Sequence, residues 1–346
     1  MNAKKFLMNI LNGIALGTVI ALIPGALLGE LVKALSSTFP QIGFLSGAFT
    51  MSNSMVPLVS GVLIGQNFKF TPIQSMSIGL ATLFGSGAVK FADGAATLAG
   101  TGDIINMGIT AAVGVLLVML LGESLKSYAI IVIPPVILSV AGGVGYFTLP
   151  YIAKITEVIG IGISQLLNLQ PMILAIVIAM IFSILIVSPI TSVGIAVAIS
   201  LSGIGSGAGN LGITAAGFGL AIMGWTVNDR GTSLAHFIGS PKMQMPNVIK
   251  KPLIMVPILA NAAATGLLAA IFNIQGTPMS AGFGFSGLVG PINFLNLAEN
   301  GWSIGNILIA ILAFVVAPIS FGLLFKYVFT KLIPIVSPED YRLDIE

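Results

Sequence analysis

The chain contains no cysteine and only one histidine, His236, among its 346 residues. The absence of cysteine excludes disulfide bonds, thiolate metal ligands and a cysteine nucleophile. A single histidine excludes a metal centre built from several imidazole ligands. Charge is scarce too, because 7% of the residues are Asp, Glu, Lys or Arg, whereas soluble domains carry about 25%. The chain therefore has too few polar side chains to cover a soluble globular surface.

Long apolar runs take the place of the missing charge. Hydrophobic residues make up 56% of the chain, and the mean hydropathy is +1.07. Runs of about 20 apolar residues match the helix length that crosses the hydrocarbon core of a bilayer. They are continuous, as in ILAIVIAMIFSILIV at 173–187, without the alternation that a β-barrel requires. The sequence predicts an all-α, polytopic helical membrane protein, with 1–346 as a single integral-membrane domain.

Three sequence blocks occur twice in the same order, which predicts two internal repeats. The pairs are 106–112 with 210–216 (NMGITAA and NLGITAA), 71–82 with 188–199 (TPIQSMSIGLAT and SPITSVGIAVAI) and, more weakly, 135–140 with 257–262 (PVILSV and PILANA). The repeats extend over about 41–150 and 159–275. Their most polar segments, at 89–103 and 228–251, are expected to be loops.

A proline marks a helix break in both repeats. Copy one breaks at Thr71–Pro72, because proline disfavours helical geometry in the residue before it. We therefore divide the long apolar run of copy two at Ser188–Pro189. The ten predicted spans are 6–28, 43–66, 71–88, 104–121, 128–149, 171–187, 190–205, 210–227, 252–273 and 303–329. An even number of spans separates the repeat starts, so the repeats are expected to be parallel.

Lysine and arginine residues predict the orientation of these spans. With ten spans and a cytoplasmic N-terminus, most basic residues lie inside, as the positive-inside rule requires. Both termini and the 228–251 loop are then cytoplasmic. His236 lies in that loop, where we expect a solvated or interfacial side chain.

Two segments do not fit ordinary spans. The stretch 153–169 has apolar residues at helical spacing with a few charges, which predicts an interfacial helix or part of a subunit contact. The stretch 276–296 contains five glycines and two prolines. Irregular backbone at membrane depth is stable only where protein or a water-filled cavity covers it. We predict a re-entrant hairpin there, with an ordinary outer loop as the alternative, followed by the last helix within a C-terminal part at about 276–330.

The repeated phrases supply the main candidates for a substrate site. In both copies a glycine-rich stretch leads to an asparagine, Asn106 or Asn210, and asparagine is a strong N-cap residue. Thr110 and Thr214 lie four residues further on and share a helix face with the asparagines. Two such helix starts facing each other across a pseudo-two-fold axis would form a polar cleft that tolerates an anion. The alternative is that the small residues simply allow close helix packing.

Other polar residues in apolar surroundings extend this candidate set. Thr71 and Ser188 precede prolines and are expected to cap helices, which is also an ordinary structural role. Asn53 and Asn261 fall inside predicted spans, where an amide either lines a pathway or joins helices. Glu299 follows the predicted hairpin and is the best acidic candidate, because charges within membranes are expensive. No pattern predicts a catalytic residue, a metal ligand or a cofactor.

The segments SPITSVGIAVAI and GIGSGAGNLGITAAGFGLAIMGW resemble the integral-membrane IIC component of the bacterial phosphotransferase system, in the variant that includes PfoR-like regulators. This resemblance implies a sugar-translocating homodimer in the bacterial plasma membrane that works with soluble, phosphoryl-carrying IIA and IIB proteins. Glucose-type members place a glutamate in a Gly-Ile-Thr-Glu motif, whereas both copies here have alanine. The sugar-binding carboxylate is therefore missing, and no cysteine is present for a fused IIB domain.

Two functions remain open at this point. The first is a transporter of a small polar solute, a sugar or an anion, with a substrate cleft between the two repeats and the hairpin as a gate. The second is a regulatory membrane protein that binds a ligand and signals through the 228–251 loop without transport. Broken, glycine-rich helices favour transport, since a passive scaffold has little use for them. We expect no enzymatic activity from the chain on its own, and no nucleic-acid partner.

Overall fold

The computed structural model describes residues 2–36, 38–92, 94–125, 128–278 and 280–343. It confirms an all-α membrane protein, and the described chain divides into two compact units, Met1–Ile155 and Thr156–Glu346. Among the described residues, six helices are long and apolar enough to cross a membrane, or seven if a bent helix pair at Pro40–Asn67 counts as one span. The other three of the ten predicted spans are shorter helices, at Pro72–Gly85, Pro171–Val187 and Ser192–Ala198.

The described part of the first unit is built from closely packed helices. They are α1 (Ala3–Leu35), α2 (Phe44–Ser54), α3 (Val56–Asn67), α4 (Pro72–Gly85), α5 (Ile104–Leu125), α6 (Ala129–Val136) and the beginning of α7 (Gly143–Ser164). Glycines bring α1 against α3, since a Cβ on Gly13 or Gly17 would meet the backbone of Ile64 or Ser60. Such small residues let helices approach closely, as is common in membrane proteins.

The polar insertion at 89–103 contains a β-hairpin, whereas the sequence predicted only a loop. Strands β1 (Val89–Ala92) and β2 (Ala95–Leu98) form an antiparallel pair. Gly94 lies between them with a φ of +77°, a value that glycine adopts without steric cost. The expected loop is a hairpin because this turn lets two short runs pair their backbones.

One continuous helical run replaces two predicted elements. Residues Ala129–Asn168 are helical over 40 residues, so the segment 153–169 continues the preceding helix, and its predicted place at the membrane surface or in a subunit contact stays a prediction. Two prolines lie inside α6 and Pro150 lies inside α7, yet none of them ends the helix. The turns at Ile137–Gly142 are π-helical. Local widening of this kind satisfies the backbone groups that a proline leaves unpaired.

The second unit is organised around one central helix. Its helices after α7 are α8 (Pro171–Val187), α9 (Ser192–Ala198), α10 (Gly203–Gly224), α11 (Arg230–Ile238), α12 (Met245–Lys250), α13 (Met255–Ile271), α14 (Val289–Leu297), α15 (Ile304–Ile311) and α16 (Ala317–Tyr327). Nearly every residue of α10 from Gly205 onward is buried, and α8, α13 and α16 pack against it. A Cβ on Gly212 of α10 would overlap the backbone of Ala179 in α8. The unit's hydrophobic core surrounds this contact.

The chain between α8 and α10 is mostly irregular. α8 ends at Val187, so the break predicted at Ser188–Pro189 is present. The predicted seventh span at 190–205 is wrong, because α9 has seven residues, equal to about 10 Å of helix. α10 also begins earlier than expected, at Gly203. The glycine-rich stretch that was expected to precede this helix forms its first turns.

The 228–251 segment is folded and partly buried, whereas the sequence predicted a loop. It contains α11 and α12, and His236 has no exposed surface. The C-terminal tail covers it, because the Tyr341 carbonyl accepts hydrogen bonds from the side-chain amides of Asn228 at 2.9 Å and Gln244 at 2.8 Å. The part of the segment around Met243 and Met245 is thereby buried.

A chain without cysteine is well suited to a test of the predicted orientation. Cysteine introduced at Lys4, Lys250 or Ser337, all exposed, is expected to resist an impermeant maleimide in intact cells. Cysteine at Lys154, which is also exposed but on the opposite predicted side, is expected to react. Permeabilised cells are the control, since every position should then be labelled. Labelling at Lys250 in intact cells would contradict the predicted orientation.

Candidate functional site

A row of buried polar residues lies along one face of α10. Ser206, Asn210 and Thr214 are spaced four residues apart, which places them on the same helix face. Each has at most 1% of its surface exposed. The Thr214 hydroxyl donates to the Asn210 carbonyl oxygen at 2.8 Å. Buried polar groups need hydrogen-bond partners, and here most of them come from the segment that follows α13.

That segment runs beside α10 from one end toward the other. Gly276 pairs with Gly203 at the start of α10 through two N···O distances of 3.0 and 3.1 Å. Further on, the Ser286 hydroxyl donates to the carbonyl of Ile238 in α11 at 2.9 Å. Residues 276–278 and 280–286 therefore pass along α10 as irregular chain that protein covers, the condition for stable broken backbone in a membrane protein.

The chain then turns and comes back as α14. Gly284, Gly287 and Leu288 have φ values of 61°, 60° and 57°, and these left-handed residues reverse the direction of the chain. The Asn293 side chain in α14 accepts a hydrogen bond from the Thr277 N–H at 2.9 Å, so the two arms lie side by side. The stretch has the hairpin shape that its glycines and prolines predicted. Its depth in a membrane stays a prediction.

Hydrogen bonds join α10 to this hairpin, and we call the residues that make them the polar seam: Ser206, Asn210, Thr277, Ser280 and Gly284. The Asn210 amide donates to the Ser280 hydroxyl at 3.3 Å, and its oxygen accepts from the Gly284 N–H at 3.0 Å. The Ser206 hydroxyl donates to the Thr277 carbonyl at 2.8 Å and lies 3.4 Å from Ser280 Oγ. The fold thus brings the predicted Asn210 together with two serines that the sequence analysis missed.

Neither predicted asparagine caps a helix. Asn210 lies in the interior of α10. Asn106 is the third residue of α5, and Asp103 supplies the cap, since its carboxylate accepts from the Asn106 N–H at 2.8 Å. In copy two the glycine-rich stretch continues the helix because it packs against other backbone, and a Cβ on Gly207 would overlap the Ile274 carbonyl. A local cap, Asp103, therefore sets the start of α5, whereas contact with distant chain accompanies the earlier start of α10.

In the first unit, Asn106 joins three helices. Its amide donates to the carbonyls of Gly85 at 2.6 Å and Gly145 at 2.7 Å, and its oxygen accepts from the Thr148 hydroxyl at 2.7 Å. Thr110 repeats the bond seen in α10, donating to the Asn106 carbonyl at 2.8 Å. These bonds all lie within the unit and support the packing interpretation for this copy. The shared cleft with the second copy stays a prediction.

The two predicted caps before proline differ. Thr71 caps α4: its hydroxyl accepts from the Gln74 N–H at 3.4 Å, and the Gln74 side chain accepts from the Thr71 N–H at 2.9 Å. Ser188 instead closes the end of α8 and donates to the Leu185 carbonyl at 2.8 Å. α9 is capped by Thr191. The irregular residues after the proline shift the helix start by three positions.

The remaining three candidates lie outside the seam. Asn261 of α13 donates to the carbonyls of Ala215 at 3.3 Å and Pro318 at 3.0 Å, so it joins α13 to α10 and α16. Asn53 lies in α2 of the first unit, and its buried side-chain oxygen has no hydrogen-bond partner among the described residues. Glu299 lies in an exposed turn after α14. The expected acidic group is therefore at the surface, since the chain has left the packed hairpin before reaching it.

A buried lysine closes the end of α8. The Lys242 ammonium donates to the carbonyls of Ser188 at 2.6 Å and Ile190 at 2.8 Å, just beyond the helix C-terminus, where a cation is favourable. Only 5% of its surface is exposed, and burial lowers the pKa of Lys242 from 10.5 to about 7. In the sequence, Lys242 is one of several cations in the predicted loop. No neighbouring residue indicates that its side chain reaches the end of a helix more than 50 residues earlier.

His236 belongs to the same packed segment. Its Nδ1 lies 3.0 Å from the Thr232 carbonyl oxygen, and its Nε2 lies 3.2 Å from the Gln244 amide nitrogen. A carbonyl only accepts and an amide nitrogen only donates, so the neutral ring carries its proton on Nδ1. Burial lowers the pKa of His236 from 6.5 to about 4. His236 is therefore not solvated, and the alternative of an interfacial side chain stays a prediction.

Three aromatic rings pack together beside the seam, where α10, α11 and the hairpin meet. Phe218 of α10 and Phe237 of α11 stack with ring centroids 4.3 Å apart, and Phe285 of the hairpin meets Phe218 at 5.3 Å. Thr214 and His236 border a void of about 10 Å³ beside these rings, whereas ligand sites commonly enclose about 300–1,000 Å³. This void next to the seam is therefore too small for a sugar-sized solute.

Residues 8–343 match the family described as "Phosphotransferase system, EIIC". The match covers nearly the whole chain. The protein belongs to the phosphotransferase system EIIC family. This EIIC chain is therefore a multi-pass subunit of a phosphotransferase sugar transporter in the bacterial plasma membrane. No curated protein and no solved structure gives a significant match to the chain.

For an EIIC protein, this seam has neutral chemistry. Its side chains are one amide and several hydroxyls, and Ala215 follows Thr214 at the position where the resemblance to glucose-type members expects a glutamate. Amides and hydroxyls both donate and accept hydrogen bonds, as sugar hydroxyls do. The EIIC seam therefore offers groups that pair with a sugar without a carboxylate.

Replacement of Asn106 tests its role as a link between helices. Asn106→Ala leaves the carbonyls of Gly85 and Gly145 without their donor, so we expect the free energy of unfolding to fall by about 2–4 kcal/mol. Asn9→Ala is the matched control, because the Asn9 amide pairs with the Asn67 carbonyl at an exposed site where water can replace it. Thermal unfolding in detergent measures both variants. Equal melting temperatures would contradict this role.

Lys242 is expected to make stability depend on pH. Since burial holds its pKa at about 7 against an ordinary value of 10.5, the unfolded chain binds more protons between these values. The contribution of Lys242 to stability therefore rises with pH in this window, by at most about 1.4 kcal/mol per pH unit. Methionine does not titrate, so the stability of Lys242→Met lacks this rise with pH. The melting temperature of the wild type relative to that of Lys242→Met should therefore increase between about pH 7 and pH 9.5. Lys250→Met, at an exposed lysine of the same segment, is the control. A difference in melting temperature between the wild type and Lys242→Met that stays constant over this pH range would rule out a depressed pKa of Lys242.

Proposed function

We propose that this EIIC protein translocates a sugar and binds it at the polar seam between α10 and the hairpin. The observation that carries the proposal is a cluster of buried side chains, Ser206, Asn210 and Ser280, that can all donate and accept hydrogen bonds. Asn210 lies 3.3 Å from Ser280, and Ser206 lies 3.4 Å from Ser280. Hydrogen bonds are usually about 2.5–3.0 Å long between two oxygens and about 2.7–3.2 Å long from an amide nitrogen to an oxygen. Sugar hydroxyls can replace these two longer contacts, while Ser206 and Asn210 each keep a second hydrogen bond, at 2.8 and 3.0 Å.

The chemistry of the seam suits an uncharged solute rich in hydroxyls. Ser206, Asn210 and Ser280 can each donate and accept, and the hydrogen bonds of the seam among the described residues involve no charged side chain. Aromatic rings offer large apolar faces that suit the C–H face of a sugar. Phe218 of α10 and Phe285 of the hairpin supply such rings beside the seam. These features favour a sugar over an anion.

Binding at this place requires the hairpin to move away from α10, because the void beside Thr214 is only about 10 Å³. Gly284, Gly287 and Leu288 all have positive φ, and backbone of this kind concentrates at sites that switch or clamp. We assign these three residues as the hinge. Movement about them would expose the row on α10, so the hairpin would act as the gate expected from its glycines.

The same proposal assigns partners to the protein. As an EIIC subunit it would form a homodimer and work beside soluble IIA and IIB phosphocarriers. Transfer of a phosphoryl group to the sugar would then fall to the IIB protein, since the chain contains no cysteine to carry one.

A second candidate function is ligand sensing without transport, and one observation favours it. The hairpin contacts α11 through the bond from Ser286 to Ile238, and the segment after α11 contacts the tail through the bond from Gln244 to the Tyr341 carbonyl. A ligand that displaced the hairpin would therefore act on the C-terminal tail.

Sugar binding to the purified protein tests the seam. Sugars that raise the melting temperature identify a ligand, and its affinity is then measured for Ser206→Ala and Ser280→Ala. We expect each variant to bind about tenfold more weakly, because loss of one hydrogen bond costs about 1.4 kcal/mol. Ser183→Ala is the matched control, since Ser183 is also buried but bonds to the Met180 carbonyl within α8. Unchanged affinity in both seam variants would exclude this site.

Uptake separates the two candidate functions. Proteoliposomes that contain the protein, with IIA and IIB proteins and a phosphoryl donor, are expected to accumulate the sugar that binds. Binding without accumulation, together with a change in proteolysis of the tail, would favour sensing.

A further inference from the structure

A pocket rich in lysine lies where three apolar runs of the second unit end. Its volume is about 440 Å³. Lys326 and Lys331 come from the end of the last run, and Lys251 lies immediately before the run that starts at Pro252. Thr226 follows the end of α10 and also lines the space. We call it the lysine pocket, and it shares no residue with the polar seam.

The lysine pocket has a positive charge balance. Three ammonium groups, from Lys251, Lys326 and Lys331, line it together with one carboxylate, from Asp340. Asp340 already binds the Lys251 ammonium at 2.6 Å and the Ser337 hydroxyl at 3.1 Å. Two ammonium groups therefore remain in the pocket without a counter-charge from its own lining.

These two lysines retain hydrogen-bond donors for a ligand. An ammonium group has three N–H donors. Lys326 uses one on the Ile222 carbonyl at 2.7 Å, which fixes its nitrogen beside the last turn of α10. Lys331 is exposed, and no hydrogen bond or ion pair from its side chain to a described residue is present. An anion can therefore collect several donors without displacing a bond of the protein.

We propose that the lysine pocket binds a phosphate group at the membrane surface. A phosphate monoester carries close to two negative charges and three strong acceptor oxygens, and lysine binds phosphate as a point charge. Basic pockets between membrane helices accept the headgroups of anionic lipids, and the ends of three apolar runs lie at headgroup level. The phosphate belongs either to an anionic phospholipid or to a soluble phosphate ester.

Three probes distinguish these sources. The full-length protein in an uncharged detergent is titrated with dioctanoyl phosphatidylglycerol, dioctanoyl phosphatidylcholine or inorganic phosphate while its melting temperature is recorded. We expect saturable stabilisation by at least one of the two anionic probes and none by phosphatidylcholine, which has no net charge. Lys331→Gln is the main variant, because the exposed and unbonded side chain can be changed without loss of packing.

The expected effect of Lys331→Gln is a rise of about fivefold in the half-saturating concentration, equivalent to ~1 kcal/mol for one lysine near the surface. Lys250→Gln is the matched control, because Lys250 is an exposed neighbour of Lys251 that does not line the pocket, and no change is expected. A shift with phosphatidylglycerol alone supports a lipid headgroup, and a shift with inorganic phosphate alone supports a soluble ester.

Two results would overturn the proposal: equal effects of the two lysine variants, or no saturable stabilisation by either anionic probe. Sugar affinity should be unaffected in Lys331→Gln, since the seam contains no lysine. Failure of the lysine pocket and failure of the proposed sugar site are therefore separate outcomes.

Discussion

α10 is buried along nearly its whole length, so each of its polar groups must find a partner in protein and not in water. Glycines make this burial possible, because a Cβ on Gly207 or Gly212 would overlap carbonyls of neighbouring chain. Close approach brings backbone from the hairpin to within hydrogen-bond distance of Ser206 and Asn210. The polar seam therefore exists because the helix is packed too closely for solvent, and larger residues at these glycines would separate its two sides.

Several buried polar groups of the 228–251 segment also find their partners in protein. Lys242, His236 and Gln244 lie in a segment that the C-terminal tail covers. The Lys242 ammonium donates hydrogen bonds to carbonyls at the end of α8, where a cation is favourable. The neutral His236 ring lies between the Thr232 carbonyl and the Gln244 amide. Because the hairpin also bonds to this segment through Ser286, the seam, the segment and the tail form one connected set of contacts. Both functions proposed above, gating and sensing, depend on that connection.

The second unit separates two kinds of recognition chemistry. The seam has amide, hydroxyl and backbone groups in a dry setting, where neutral hydrogen bonds discriminate between hydroxyl patterns at low desolvation cost. The lysine pocket has ammonium groups at the ends of apolar runs, where water and headgroups keep charges solvated. The proposed sugar site does not need the glutamate of glucose-type members, since amides and hydroxyls supply both donors and acceptors.

The sequence by itself determined the features that depend on composition and local pattern. Scarce charge and long apolar runs were enough for an all-α membrane protein, prolines located the end of α8, Thr71 was recognised as a cap, and clustered glycines indicated the hairpin. Tertiary structure alone decided the partners. Asn210 bonds to residues 70 and 74 positions later, and Lys242 bonds to carbonyls 54 and 52 positions earlier, so no local pattern records them. The same distant contacts lengthened α10, reduced α9 to seven residues and buried His236, because packing free energy outweighs local helix preference wherever water is excluded.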